Sequence, residues 1–106
     1  METNAILPSV GQTWLAELGP FAAEITFASE SEVSFVLTTG DHKGKTETMD
    51  YSATKVRDGL YVVRWVEPVS GDIVTHIQDY TAGTSLASSI VGGEFVQLTG
   101  KWSRVR

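Results

Sequence analysis

The sequence predicts an all-β protein, a small up-and-down antiparallel β-barrel of about eight strands. Short β-branched and aromatic runs recur roughly every ten residues, helical periodicity is nearly absent, and turn residues break the alternation between runs. The first run, 12–18, contains Trp14 and stops at Gly19-Pro20; the second, 21–28, stops at Ser29-Glu30-Ser31. The third, 32–39, alternates Val33, Phe35 and Leu37 with Ser34, Val36 and Thr38, so the first set reads as wall and core; it ends at Gly40-Asp41-His42-Lys43-Gly44. Run 46–57 ends at Asp58-Gly59, run 59–67 at Val69-Ser70-Gly71, and run 72–80 at Ala82-Gly83. The last two, 84–91 and 94–104, flank Gly92-Gly93. Consecutive strands with short turns suggest a meander, and closing it removes exposed edges.

The chain has 106 residues, enough for one domain and one modest core. Residues 1–10, with Pro8, read as an N-terminal arm or one helical turn, and 11–106 as the barrel. There is no cysteine, which excludes a disulfide scaffold and a thiolate-ligated metal. His42 and His76 lie on separate segments without ligand spacing, so no metal is expected. No Gly-rich loop opens a helix and no nucleophile elbow is present, so no cofactor and no serine triad are expected. The net charge of −5 argues against nucleic acid, the only basic cluster being Lys101, Arg104 and Arg106, with Lys43 and Lys45 forming a looser pair. No apolar run approaches the roughly 20 residues of a membrane span, and Met1 to Ala5 contain no basic region. The expectation is a soluble, cytoplasmic protein without a membrane partner.

The segment Leu60 to Tyr80 reads as a hairpin. If Pro68 to Gly71 form its loop, Glu67 faces Asp72, Trp65 faces Val74, Val63 faces His76 and Tyr61 faces Gln78. That register places Tyr61, Val63, Trp65, Glu67, Val74, His76 and Gln78 on one wall, a mixture of aromatics and few polar groups suited to a ligand. A carboxylate flanked by aromatics can act as general acid or base, or anchor the donor groups of a ligand. Glu67 is therefore the candidate catalytic group, with His76 or Tyr61 assisting. Ser85, Ala87, Ser88 and Ser89 would leave space in the lumen. Trp14 and Trp102, near Arg104 and Arg106, predict an arginine laid over a tryptophan face where the first and last strands meet.

Gly11-Gln12-Thr13-Trp14, the stretch from Tyr51 to Glu67, and Gly71 to Asp79 resemble the barrel domain of MoaF-like proteins (molybdenum cofactor biosynthesis protein F). The resemblance implies a calycin or lipocalin-like barrel; barrels of that kind often pair, so a homodimer is one expectation. Asp58 to Pro68 also resembles a strand of the phenolic acid decarboxylases, where the glutamate before the proline is a catalytic acid, which implies that role for Glu67. In those enzymes the glutamate works with two tyrosines of an early strand and an arginine on a loop. Here Phe21 to Phe27 contain no tyrosine, and Lys43 and Lys45 stand where the arginine would be. Three readings follow: a barrel binding an apolar or aromatic organic molecule, a cofactor-independent lyase or isomerase using Glu67, and an interaction module whose lumen is filled.

Overall fold

The computed structural model describes residues 4–106; residues 1–3 of the expected arm lie outside them. Eight strands follow in order: β1(Thr13–Glu17), β2(Ala22–Phe27), β3(Glu32–Leu37), β4(Thr46–Arg57), β5(Leu60–Val66), β6(Ile73–Asp79), β7(Thr84–Val91) and β8(Glu94–Arg104). Each pairs with the next and β8 returns to β1, so the sheet is a closed barrel of antiparallel strands. The order and number match the sequence expectation, with the ends of five strands trimmed. Each of the five loses two residues, and β3 loses both at its C-terminal end, next to Thr38, whose side chain and backbone both bond back to Ala22.

Alternation decides what fills the barrel. Along β4, Glu47, Met49, Tyr51 and Ala53 point inward while Thr46, Thr48, Asp50 and Ser52 face water. Buried Phe27, Val33, Val63 and Trp102 come from four different strands and meet in one core. Each such apolar side chain contributes about 1.5–3 kcal/mol through burial. In β7, Ser85, Ala87 and Ser89 are the inward residues, whereas Ser88 belongs to the outer face. That corrects its assignment to the lumen, since period-two alternation forbids adjacent residues from sharing a face.

Two turns show why glycine is needed. Gly92 and Gly93 have φ of 57° and 83°, the left-handed pair that lets a two-residue turn join β7 to β8 with Val91 opposite Glu94. Gly59 (φ 80°) closes the β4–β5 turn beside a register shift between Lys55 and Arg57, a bulge that tightens the bend.

The two ends of the barrel differ. One end gathers the β2–β3, β4–β5 and β6–β7 turns together with residues 4–10 and the C-terminal end of β8, and it is sealed. Residues 4–10 cross it as a cap and do not hang free as an arm: the Ala5 amide donates to Ala53 and the Gly11 amide to Phe27. Leu7 and Ser9 are fully enclosed by that passage. Beneath them Trp14 stacks on Trp102 with centroids 5.2 Å apart, and Tyr80 meets both edge-on at 4.9 and 5.9 Å. Each such pair contributes about 0.5–1.5 kcal/mol beyond its burial. The seam where β1 meets β8 is thus closed by tryptophan on tryptophan. The expected arginine is elsewhere: Arg106 reaches Glu24 at 3.2 Å, because the ring of Trp14 is already covered. The cation–π contact among the described residues is Lys45, 6.0 Å above Phe35.

Candidate functional site

The opposite end, where the β1–β2, β3–β4, β5–β6 and β7–β8 turns gather, opens into a cavity of about 260 Å³. Its walls are Phe21, Ile25, Phe35, Leu37, Trp65 and Val74. Ala16, Ala23, Ala87 and Ser89 leave the space that larger residues would fill, and Pro20, Asp41, His42 and Val91 stand among the loops and turn at its mouth. The cavity exists because the inward positions of β1, β2 and β7 nearest this end carry the small side chains Ala16, Ala23, Ala87 and Ser89.

The β5–β6 hairpin adopts the register expected from its turn. Tyr61 pairs with Gln78, Val63 with His76 and Trp65 with Val74, and the Glu67 amide donates to the Asp72 carbonyl at 2.8 Å. All seven candidate residues therefore share the inner face, yet they divide along the barrel axis. Trp65, Glu67, Val74 and His76 line the cavity. Tyr61, Val63 and Gln78 lie deeper, packed beneath the cap, and do not line it.

At the mouth, Lys45 organises a cluster of carboxylates. Its Nζ lies 3.3 Å from Glu67 Oε1, 3.8 Å from Glu47 Oε2 and 3.9 Å from Asp72 Oδ2. The carboxylates are buried while Lys45 keeps 34% of its side chain exposed, so a half-wet cation sits among three enclosed anions. Backbone and side-chain donors hold each anion in place. Ser70 Oγ donates to Glu67 Oε1 (3.1 Å), Trp65 Nε1 to Glu67 Oε2 (3.3 Å), Val69 N to Glu47 Oε1 (2.8 Å) and Gly92 N to Asp72 Oδ1 (3.1 Å). Glu47 Oε2 has no hydrogen bond of its own. The mouth carries more negative than positive charge, which favours ligand head groups that donate hydrogen bonds.

His76 forms part of the cavity floor and is 2% exposed. Burial lowers its pKa from 6.5 to about 4, so the ring is neutral at neutral pH. A chain of hydrogen bonds links it to the cap: Ser9 Oγ to Tyr80 Oη at 2.7 Å, Tyr80 Oη to Gln78 Oε1 at 2.6 Å, and Gln78 Nε2 to His76 Nδ1 at 2.9 Å. Burial pushes the Tyr80 hydroxyl well above its usual range, which keeps it a donor. His76 Nε2 has no partner. Among the described residues no group of three His, Asp or Glu side chains is disposed to hold a metal ion.

Sequence reasoning missed Phe21, Ile25, Lys45, Glu47 and the Ser9–Tyr80 pair. Alternation along β2 and β4 could have placed Ile25 and Glu47 inside, whereas Lys45 and Ser9 lie in irregular segments without a period to read.

A family model described as MoaF-like matches residues 10–103. Among solved structures, a protein of Burkholderia vietnamiensis described as a "putative beta-lactamase" is similar, with a TM-score of 0.88 and 25% identity over 95% of this chain and 99% of that chain. No curated protein matches the sequence.

Proposed function

The chain belongs to the MoaF-like family, and from that membership and the half-open lumen we propose that it binds a small apolar or aromatic organic molecule inside the barrel. The observation that carries this reading is the cavity itself: about 260 Å³, apolar over most of its wall, sealed at one end and reached at the other past a few charged groups. Sites of this composition suit ligands whose body is buried by hydrophobic contact and whose ends are fixed by one or two polar groups. Trp65 and Phe35 offer aromatic contact to an aromatic body, and Glu67 and Asp72 offer acceptors to a donor group at the mouth.

A proton-transfer reading has one observation in its favour, that Glu67 and His76 line the same lumen. It requires Glu67 to exchange a proton while Lys45, Ser70 and Trp65 all donate to its carboxylate, so both oxygens already have partners within the protein. Hydrolysis of a β-lactam finds less support. Ser52-Ala53-Thr54-Lys55 has the Ser-x-x-Lys spacing of serine β-lactamases, but on a strand these two residues fall on opposite faces, and Lys55 is paired with Asp58 at 2.7 Å.

The test is a fluorescence titration with aromatic amines, alcohols and ketones against the wild type and Ala87→Phe, which places a ring in the cavity. A saturable change in tryptophan emission, lost in the variant, is expected. A flat titration, or an equal response from the variant, would remove the lumen as the binding site. Glu67→Gln separates the two readings: binding with altered head-group preference fits a ligand site, whereas abolished turnover of a bound compound would establish the proton-transfer role.

A further inference from the structure

Two of the three carboxylates at the mouth keep an oxygen that no donor of the described residues reaches. Lys45 Nζ is within hydrogen-bond distance of Glu67 Oε1 alone, at 3.3 Å, while Glu47 Oε2 and Asp72 Oδ2 lie 3.8 and 3.9 Å away. Both oxygens of Glu67 are engaged, one by Lys45 and Ser70 and the other by Trp65. Glu47, its side chain only 2% exposed, turns Oε2 toward Lys45 without a hydrogen bond. That oxygen is enclosed, so it acts on the mouth through its charge and not by contact. Asp72 differs. Its Oδ1 accepts from the Gly92 amide, and its side chain, 11% exposed, lines the cavity. The enclosed side-chain atoms without a hydrogen bond are Glu47 Oε2, His76 Nε2 and Trp102 Nε1 among the described residues, so the unbonded Asp72 Oδ2 is accessible.

The cluster sets three carboxylates against one ammonium, a formal excess of two negative charges in a place that water only partly screens. Lys45 shows what that place accommodates: an alkylammonium among carboxylates, half in water, its nitrogen 6.0 Å from the centre of the Phe35 ring. Ile25, Leu37, Trp65 and Val74 make the wall beyond it apolar. On the binding reading above, from which this step proceeds, we infer that the ligand is an organic amine, its apolar or aromatic body inside the lumen and its protonated amino group at the mouth, donating to Asp72 Oδ2. Such a bond is charge-assisted, and roughly twice as strong as one from a neutral donor. Glu47 and Glu67 add an attraction that a neutral head group of the same shape does not feel. Lys45 offsets one of the three charges and leaves the balance negative. The half-open mouth keeps the ammonium partly hydrated, which limits the cost of desolvating it. A carboxylate head group would meet the same excess charge as repulsion.

The experiment compares 2-phenylethylamine with 2-phenylethanol, which has the same shape and a neutral donor, by tryptophan fluorescence at pH 7 and low salt. The wild type should bind the amine about tenfold tighter than the alcohol. Asp72→Asn keeps the oxygen that accepts from Gly92 and removes the charge, so it should weaken the amine several-fold more than the alcohol. Lys45→Met removes the resident cation and should widen the amine's advantage. The two variants change the charge in opposite directions, and the wild-type comparison stands even where a variant does not fold. Ala87→Phe fills the lumen and should bind neither probe, which separates the site from general attraction of a cation to an acidic protein. Equal affinities in the wild type, an advantage that Asp72→Asn leaves intact, or amine binding that persists in Ala87→Phe while the alcohol's is lost would overturn the inference and leave the lumen as a binding site. Binding of neither probe to the wild type, or undiminished binding of both to Ala87→Phe, would overturn the binding reading and the inference with it.

Discussion

His76 is the residue on which the two halves of the lumen meet. Its pKa of about 4 in the fold, against 6.5 when exposed, has a defined consequence for stability. Between these values the unfolded chain takes up a proton that the folded chain refuses, so the stabilisation is complete above pH 6.5 and is lost as pH falls to about 4. The difference corresponds to about 3 kcal/mol. Urea unfolding of the wild type and His76→Gln at pH 7 and pH 4.5 checks this: the drop in stability on acidification should be smaller in the variant by an amount of that order, and parallel losses would remove His76 as the cause. Tyr80 supplies a second residue-scale prediction. Tyr80→Phe leaves Ser9 and the Gln78 carbonyl without their shared partner, and should lower unfolding stability by about 1–3 kcal/mol, readable as a reduced denaturant midpoint.

At the scale of elements, the seam between β1 and β8 depends on Gly100. A Cβ there would collide with the Glu17 carbonyl, which is backbone and cannot swing aside. In an open strand Gly→Ala usually stabilises, by restricting the unfolded chain. Here Gly100→Ala should destabilise by about 1–3 kcal/mol in the same unfolding assay, the sign itself being the test. The β5–β6 hairpin was legible in full, because the loop from Pro68 to Gly71 fixes the register and alternation then assigns each face. The β3–β4 loop was not. Lys45 reaches Glu67 by the path of an irregular segment, for which no periodicity exists. Lys45→Met should cost about 1–2 kcal/mol by leaving Glu47, Glu67 and Asp72 facing one another, and Lys45→Arg should retain most of the stability, as thermal unfolding would show.

For the whole molecule, a period of two tells inside from outside but carries no information about depth along a barrel. That is why Tyr61, Val63 and Gln78 were readable as inward residues, yet their place beneath a cap was not. The cap rests on Leu7 and Ser9, whose burial follows from long-range contact with Tyr80 and the barrel end, invisible in a local pattern. Small residues on β7 did announce free space, and the cavity lies against Ala87 and Ser89. The same asymmetry gives the molecule one sealed end and one open end, which is what a lumen needs to hold a ligand and exchange it. The most direct measurement is a native mass spectrum of the wild type and Ala87→Phe after incubation with the small-molecule fraction of a cell extract, each followed by a denaturing spectrum. The wild type should carry a discrete added mass that denaturation releases, and the filled variant should not. A bare wild-type mass, or the same adduct on both proteins, would contradict a ligand-holding lumen.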